Sequence, residues 1–166
     1  MIENSRKGYL IFAKVFFCLF VFMKQFYLFP SGFIGIGDVF LVISAIIVFV
    51  VQIFIEKEKF LYTIDFYWYI FIAFVVLING FYFFKTKNID FLKYIIYWLY
   101  STVAIWTYRK LAGKQFFDKV VKVCEINIIL QLLIYCFGLG RYYHEGWGGG
   151  RFMGTFNDPN QCAFFI

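Results

Sequence analysis

The residues best suited to chemistry lie in one polar segment, residues 140–158, and in the residues that follow it. Arg151 precedes Asp158 by seven residues, and Asp158-Pro159 is a good helix start, because Asp caps a helix and Pro fits its first position. The free N–H groups and the dipole of a helix N-terminus attract anions. Arginine binds phosphate oxygens through paired hydrogen bonds. Gly154 lies between Arg151 and Asp158, and the preceding glycines let the backbone approach a ligand closely. This spacing favours the binding of a lipid-linked diphosphate.

Two other polar side chains of this segment are candidates for catalysis, but the residues alone leave the catalytic group unassigned. His144 is the only histidine, and an ordinary histidine pKa of about 6.5 suits a proton acceptor as well as a solvated loop residue. Arg141 is either a second phosphate ligand or an anchor at the membrane surface. The glycine-rich stretch does not match the dinucleotide-binding pattern, because Arg151 stands where that pattern needs its third glycine.

The composition excludes a water-soluble domain. Hydrophobic residues make up 63% of the chain and charged residues 16%, against about 45–50% and about 25% in soluble domains. The net charge of +6 is scattered at the ends of apolar runs without a basic stripe, which indicates a membrane protein and no nucleic-acid partner. The four cysteines form no C-x-x-C pair, so neither a metal site nor another cofactor is predicted.

Five apolar runs are long enough to cross a bilayer, since about 20 helical residues span its hydrocarbon core. The predicted fold class is all-α: residues 1–166 form one polytopic integral membrane helix bundle with five spans and the start of a sixth. The spans are predicted at about 9–29, 38–55, 66–84, 91–108 and 118–139, with an outer loop at 140–158 and a further span that starts at 159. Lys24, near the end of the first run, is expected to extend its amine to the membrane surface.

Lysines and arginines at the span ends predict the orientation. With the N-terminus in the cytoplasm, eight basic residues lie on the cytoplasmic side and four lie outside, in agreement with the positive-inside rule. The chain is therefore predicted to be a multi-pass protein with a cytoplasmic N-terminus and with residues 140–158 outside.

The fifth run carries a polar stripe. Asn127, Gln131 and Tyr135 recur every four residues and share one helix face. Polar groups in hydrocarbon need partners, so this face is predicted to contact protein and not lipid. Two interpretations stay open: hydrogen bonding between helices, and the lining of a substrate path.

The sequence from Arg151 to Ala163, RFMGTFNDPNQCA, resembles the signature R-x-x-G-x-x-x-[ND]-P-N-x-x-A of the O-antigen ligase and O-antigen polymerase superfamily. Its members are multi-span bacterial enzymes that transfer glycan from undecaprenyl diphosphate to an acceptor on the outer face of the inner membrane. The resemblance implies that Arg151 contacts the diphosphate, with Gly154 and Asn160 in the same site, and that Pro159 and Asn160 shape the helix start beside it.

The resemblance also implies a substrate partner, a saccharide linked to undecaprenyl diphosphate, and a role in O-antigen, capsule or exopolysaccharide synthesis. Members of the superfamily have more spans and a large later outer loop, so the chain is expected to be the N-terminal part of such a glycosyltransferase and to be inactive alone. Two other functions stay open. One is a transporter or flippase of lipid-linked saccharide, and the other is a small membrane subunit without enzymatic activity.

Overall fold

Each of the five predicted apolar runs forms an α-helix. The computed structural model describes residues 2–26, 35–56, 66–143 and 150–156. In chain order its elements are α1 (Ile2–Met23), α2 (Ile36–Val50), a short π-helix (Val51–Glu56), α3 (Phe66–Thr86), α4 (Asp90–Leu111), α5 (Lys114–Cys136), β1 (Arg141–Tyr143) and β2 (Arg151–Gly154).

The helix bounds agree with the predictions for the later runs better than for the first. Helices α3 and α4 begin at Phe66 and Asp90, close to the predicted starts of 66 and 91. Helix α1 instead runs from Ile2 to Met23, against the predicted 9–29. The chain turns immediately after Met23, where the next two side chains form hydrogen bonds to other helices.

In the part of the chain that the structure describes, two helices are long and apolar enough to cross a membrane. They cover Ile36–Phe54, with a mean hydropathy of 2.6, and Phe66–Thr86, with a mean hydropathy of 1.8. Only 6% of the apolar window in Phe66–Thr86 is buried within the protein, so this helix presents apolar side chains over nearly its whole surface. Such a surface is stable in lipid, where apolar side chains need no protein cover.

Small residues bring α1 and α2 close together. A Cβ atom added to Gly37 would lie 2.8 Å from the carbonyl oxygen of Phe20 and 2.9 Å from the backbone nitrogen of Lys24. About two helical turns further along α2, the Ser44 hydroxyl donates a hydrogen bond of 2.8 Å to the carbonyl of Ala13. Contacts between small residues of this kind are typical of helix pairs in membranes.

The apolar core lies between α1, α2 and the junction of α4 with α5. Phe17 of α1 sits at its centre, with its ring 5.8 Å from the rings of both Phe116 and Tyr108. The buried side chains of the cluster are Ala13, Phe17, Leu41, Val48, Leu111 and Phe116. Aromatic residues therefore hold the first helix against the turn that joins the last two.

A small antiparallel hairpin follows α5, in the segment that the sequence predicts as an irregular outer loop. Arg141 of β1 lies opposite Gly154 of β2, and Tyr143 lies opposite Arg151. The register is irregular between Arg141 and Tyr142. The helical prediction is confirmed for the bundle, but it does not anticipate these strands, because short strands gain stability only from the surfaces that they pack on.

Candidate functional site

The predicted site residues divide into those that the structure describes and those outside it. Arg151 is the first residue of β2, and Gly154 is the last. His144 and the predicted helix start, Asp158-Pro159-Asn160, lie outside the described residues. The described part of the site is therefore the hairpin and the helices on which it rests.

Gly154 is held in a conformation that favours glycine. Its φ angle is +58°, and a Cβ atom at this position would lie 1.9 Å from the Oε1 atom of Gln131. The side chain of Gln131, a residue of α5, thus fills the space beside Gly154. The glycine admits a protein amide, where the sequence suggests that it admits a ligand.

Gln25, Asn127, Gln131 and Thr155 form a hydrogen-bonded group that we call the amide cluster. Gln25 follows α1, and its Nε2 atom donates to the Asn127 Oδ1 atom at 3.1 Å and to the carbonyl of Phe22 at 3.1 Å. In return, Asn127 Nδ2 donates to the carbonyl of Val21 at 3.1 Å. These bonds join the end of α1 to the middle of α5.

The second half of the amide cluster reaches the hairpin. Gln131 Nε2 donates to Gln25 Oε1 and, at 2.7 Å, to the hydroxyl of Thr155. The Thr155 hydroxyl donates to Gln25 Oε1 at 3.2 Å, and the Thr155 backbone N–H donates to Gln131 Oε1 at 3.3 Å. Gln25, Asn127 and Gln131 are at most 1% exposed. Each of their amide groups is paired, as buried polar groups require.

The chain leaves β2 through a tight turn. The backbone N–H of Phe156 donates to the carbonyl of Met153 at 2.9 Å, which closes a four-residue turn with Gly154 at its second position. Phe156 is 1% exposed, so the turn is packed onto the bundle. The turn lies immediately before the predicted helix start.

Arg141 binds the same turn from the other strand. Its Nη2 atom donates to the carbonyl of Thr155 at 3.1 Å and to the carbonyl of Phe156 at 3.0 Å. The sequence suggested three roles for Arg141: a catalytic group, a phosphate ligand and an anchor at the membrane surface. The structure adds a fourth, in which Arg141 holds the base of the hairpin closed.

A second polar group, which we call the ionic cluster, joins α1, α2 and α4. The Lys24 amine lies 2.6 Å from Asp38 Oδ1 and 4.7 Å from the centre of the Tyr100 ring. The Tyr100 hydroxyl donates to Asp38 Oδ1 at 2.5 Å, and the Gly35 N–H donates to Asp38 Oδ2 at 2.7 Å. Lys24 was expected to extend its amine to the membrane surface, and in the structure the carboxylate of Asp38 on the neighbouring helix binds that amine.

Other features offer less for an anion. Among the described residues, no three His, Cys, Asp or Glu side chains lie together as a metal site requires. A cavity of about 330 Å³ opens between α2, α3 and α4 and is lined by apolar side chains, among them Phe49 and Trp106. Its lining suits a hydrocarbon chain and not a phosphate.

The polar stripe of α5 is confirmed at two of its three positions. Asn127 and Gln131 face protein, whereas Tyr135 is 55% exposed and its ring packs against that of Phe152. The hydrogen bonds support the interpretation of the stripe as a contact between helices. The sequence did not predict that Gln25 and Thr155 join this stripe. Gln25 lies more than 100 positions from its partners in the amide cluster, and no local sequence pattern identifies such partners.

The described site therefore places Arg151 on a strand whose other end is held through Thr155, which Gln131 and Arg141 bind. All of these contacts come from the chain itself. Comparison of the chain with known protein families, with curated proteins and with solved structures finds no match to any of them.

Proposed function

We propose that the chain belongs to a bacterial membrane glycan polymerase or ligase and binds the diphosphate of an undecaprenyl-diphosphate-linked saccharide at the Arg151 hairpin. The bound group is then displaced at the anomeric carbon when the saccharide is transferred to an acceptor. The observation that carries the proposal is the run from Arg151 to Ala163, with Arg151 and Gly154 on a strand fastened to two helices.

The proposal places all five helices across the inner membrane, with the N-terminus in the cytoplasm. Apolar side chains on the outward faces of the bundle support this arrangement, and examples occur on all five helices: Phe12, Ile46, Leu77, Ile96 and Ile129 are each more than 45% exposed. An odd number of spans puts the hairpin on the side opposite the N-terminus. That side is where lipid-linked saccharides are used in surface polysaccharide synthesis.

The hairpin suits the binding of a charged group because its base does not depend on loop residues alone. Binding sites are most accurate when rigid elements and a second layer of hydrogen bonds hold them. Here the second layer is the amide cluster together with Arg141. Arg151 would supply paired hydrogen bonds to the diphosphate and stabilise the negative charge that develops on the leaving group. His144 stays a candidate for the proton acceptor.

Replacement of Arg151 in the whole protein tests this function. We expect that both Arg151→Ala and Arg151→Lys lower polymer formation by about 10²–10³-fold, because lysine keeps the charge but not the paired geometry. Arg109→Lys, at the end of α4, is the matched control and should leave polymer formation unchanged. Membrane levels of each variant are measured by immunoblotting.

Two results would contradict the proposal. Full activity of Arg151→Lys would make Arg151 a simple surface cation. Movement of lipid-linked saccharide across vesicle membranes by the purified protein, without cleavage of the bond between the anomeric carbon and the diphosphate, would instead identify a transporter.

A further inference from the structure

We propose that Gln131 and Thr155 are positioning residues for Arg151: through them the buried amide cluster sets where the β2 strand lies on the bundle. This inference rests on the proposed function, since it concerns the same anion site. The residues that carry it are distant in sequence, with Gln25 near the start of the chain, Gln131 in α5 and Thr155 after β2.

The amide cluster bonds Thr155, in the turn that follows β2, at both its side chain and its backbone. Gln131 donates to the Thr155 hydroxyl at 2.7 Å and accepts the Thr155 N–H at 3.3 Å. Because Gln131 bonds both the hydroxyl and the backbone N–H of Thr155, it fixes the position of Thr155 along the strand direction as well as its distance from α5. Thr155 in turn donates to Gln25, which α1 and α5 hold together.

A steric contact between Gly154 and Gln131 also fixes where the end of β2 lies on α5. The Gln131 Oε1 atom occupies the position that a side chain of residue 154 would take. The strand can therefore approach α5 so closely only with glycine at this point. The positive φ angle of Gly154 then directs the chain into the turn that Phe156 closes.

Arg141 completes the arrangement from β1. It lies opposite Gly154 in the hairpin and donates to the carbonyls of Thr155 and Phe156. Beyond the irregularity between Arg141 and Tyr142, Tyr142 pairs with Phe152 and Tyr143 pairs with Arg151. Arg151 is three residues from Gly154, or about 10 Å along the strand.

Stability alone does not account for a neutral, fully paired cluster at this position. Replacing both partners of a buried hydrogen bond by apolar groups of the same shape is often nearly neutral for stability. Leucine or methionine at the buried glutamine positions would pack the helices together equally well, but apolar packing has no preferred direction as a hydrogen bond has. The directional bonds therefore serve the placement of the strand.

The binding of inorganic pyrophosphate to the whole protein in nanodiscs tests the proposal. We expect that Thr155→Val weakens pyrophosphate binding by about fivefold, the loss typical of one or two neutral hydrogen bonds. Thr155→Ser keeps the hydroxyl and should restore the wild-type dissociation constant. Thr107→Val is the matched control, because Thr107 is fully buried and its hydroxyl donates within its own helix, to the carbonyl of Val103 at 2.7 Å.

A double-mutant cycle examines the steric contact. Gly154→Ala should weaken pyrophosphate binding strongly in the wild-type background and less when Gln131→Ala has removed the amide. If Gly154→Ala weakens pyrophosphate binding equally in both backgrounds, the steric contact between Gly154 and Gln131 does not position the strand, and this part of the proposal is overturned.

Hydrogen exchange separates this proposal from the proposed function. Thr155→Val and Gln131→Leu should speed the exchange of the backbone amides in residues 151–156, whereas Thr107→Val should not. If wild type binds no pyrophosphate but this exchange pattern holds, the diphosphate site fails and the positioning of the strand stands. If exchange and binding both match wild type in Thr155→Val, the positioning proposal is overturned.

Discussion

Lys24 and Gln25 are neighbours in the chain, yet they enter two polar clusters of different character. The ionic cluster holds a charge pair whose side chains keep 26% and 16% of their surface exposed. The amide cluster is neutral, and its amide side chains are at most 1% exposed. The first joins three helices, whereas the second joins two helices to the hairpin.

The difference follows from the cost of burying charge. An ion pair removed fully from water loses more hydration than its attraction returns, so it is best kept partly solvated. Neutral amides can be buried completely when every donor and acceptor is paired. We infer that the ionic cluster mainly stabilises the bundle and that the amide cluster, through its directional bonds, also serves the site.

Removal of the carboxylate should have the largest effect on stability. Asp38→Leu leaves the Lys24 amine without its carboxylate and the Gly35 N–H without its acceptor, and we expect a loss of about 3 kcal/mol in unfolding free energy. Thermal unfolding in detergent measures this loss. The double variant Lys24→Met/Asp38→Leu should recover part of it. Pyrophosphate binding by the folded protein should stay unchanged, and a weaker affinity would contradict the division of roles.

Gln25→Leu should cost less stability but affect both properties. It removes the donor to Asn127 Oδ1 and one of the two acceptors of Gln131 Nε2, at a cost of about 2 kcal/mol in unfolding free energy. Unlike Asp38→Leu, it should also weaken pyrophosphate binding. Asn79→Leu is the control, since the Asn79 amide bonds within α3, to the carbonyl of Val75. If Gln25→Leu changes only stability, the two clusters do not differ in function.

Tyr100→Phe should have a smaller effect confined to stability. The variant removes one hydrogen bond to a carboxylate, at 2.5 Å, but keeps the ring beneath the Lys24 amine. We expect a loss of about 1.5 kcal/mol in unfolding free energy. Chemical denaturation of the two proteins in the same detergent compares them. An unchanged stability would show that Lys24 and the Gly35 N–H satisfy Asp38 without Tyr100.

Lys93→Met should have the smallest effect of all. Lys93 pairs with Asp90 at 2.7 Å, but both side chains are well exposed, so solvent screens the attraction. We expect the same midpoint of thermal unfolding as in wild type. A clear loss of stability would mean that this exposed pair behaves like the partly buried Lys24–Asp38 pair, and the argument that solvent exposure weakens an ion pair would then fail.

The helices were predictable because their signal is local. Apolar runs of sufficient length predict α3 and α4 within a few residues, since hydrophobic length and helical hydrogen bonding depend on neighbours in the chain. The first helix was predicted poorly. Lys24 and Gln25 lie within a continuous apolar run, and only their tertiary partners explain why the chain turns there.

The site divides in the same way. The chemical types at Arg151 and Gly154 and the four-residue spacing of Asn127 and Gln131 can be read from the sequence, because the period of a helix and the geometry of a guanidinium are local properties. The identity of the group beside Gly154 cannot be read from the sequence. Tertiary structure alone decided that Gln131 fills that space, because a contact across 23 residues and two elements depends on how the helices pack.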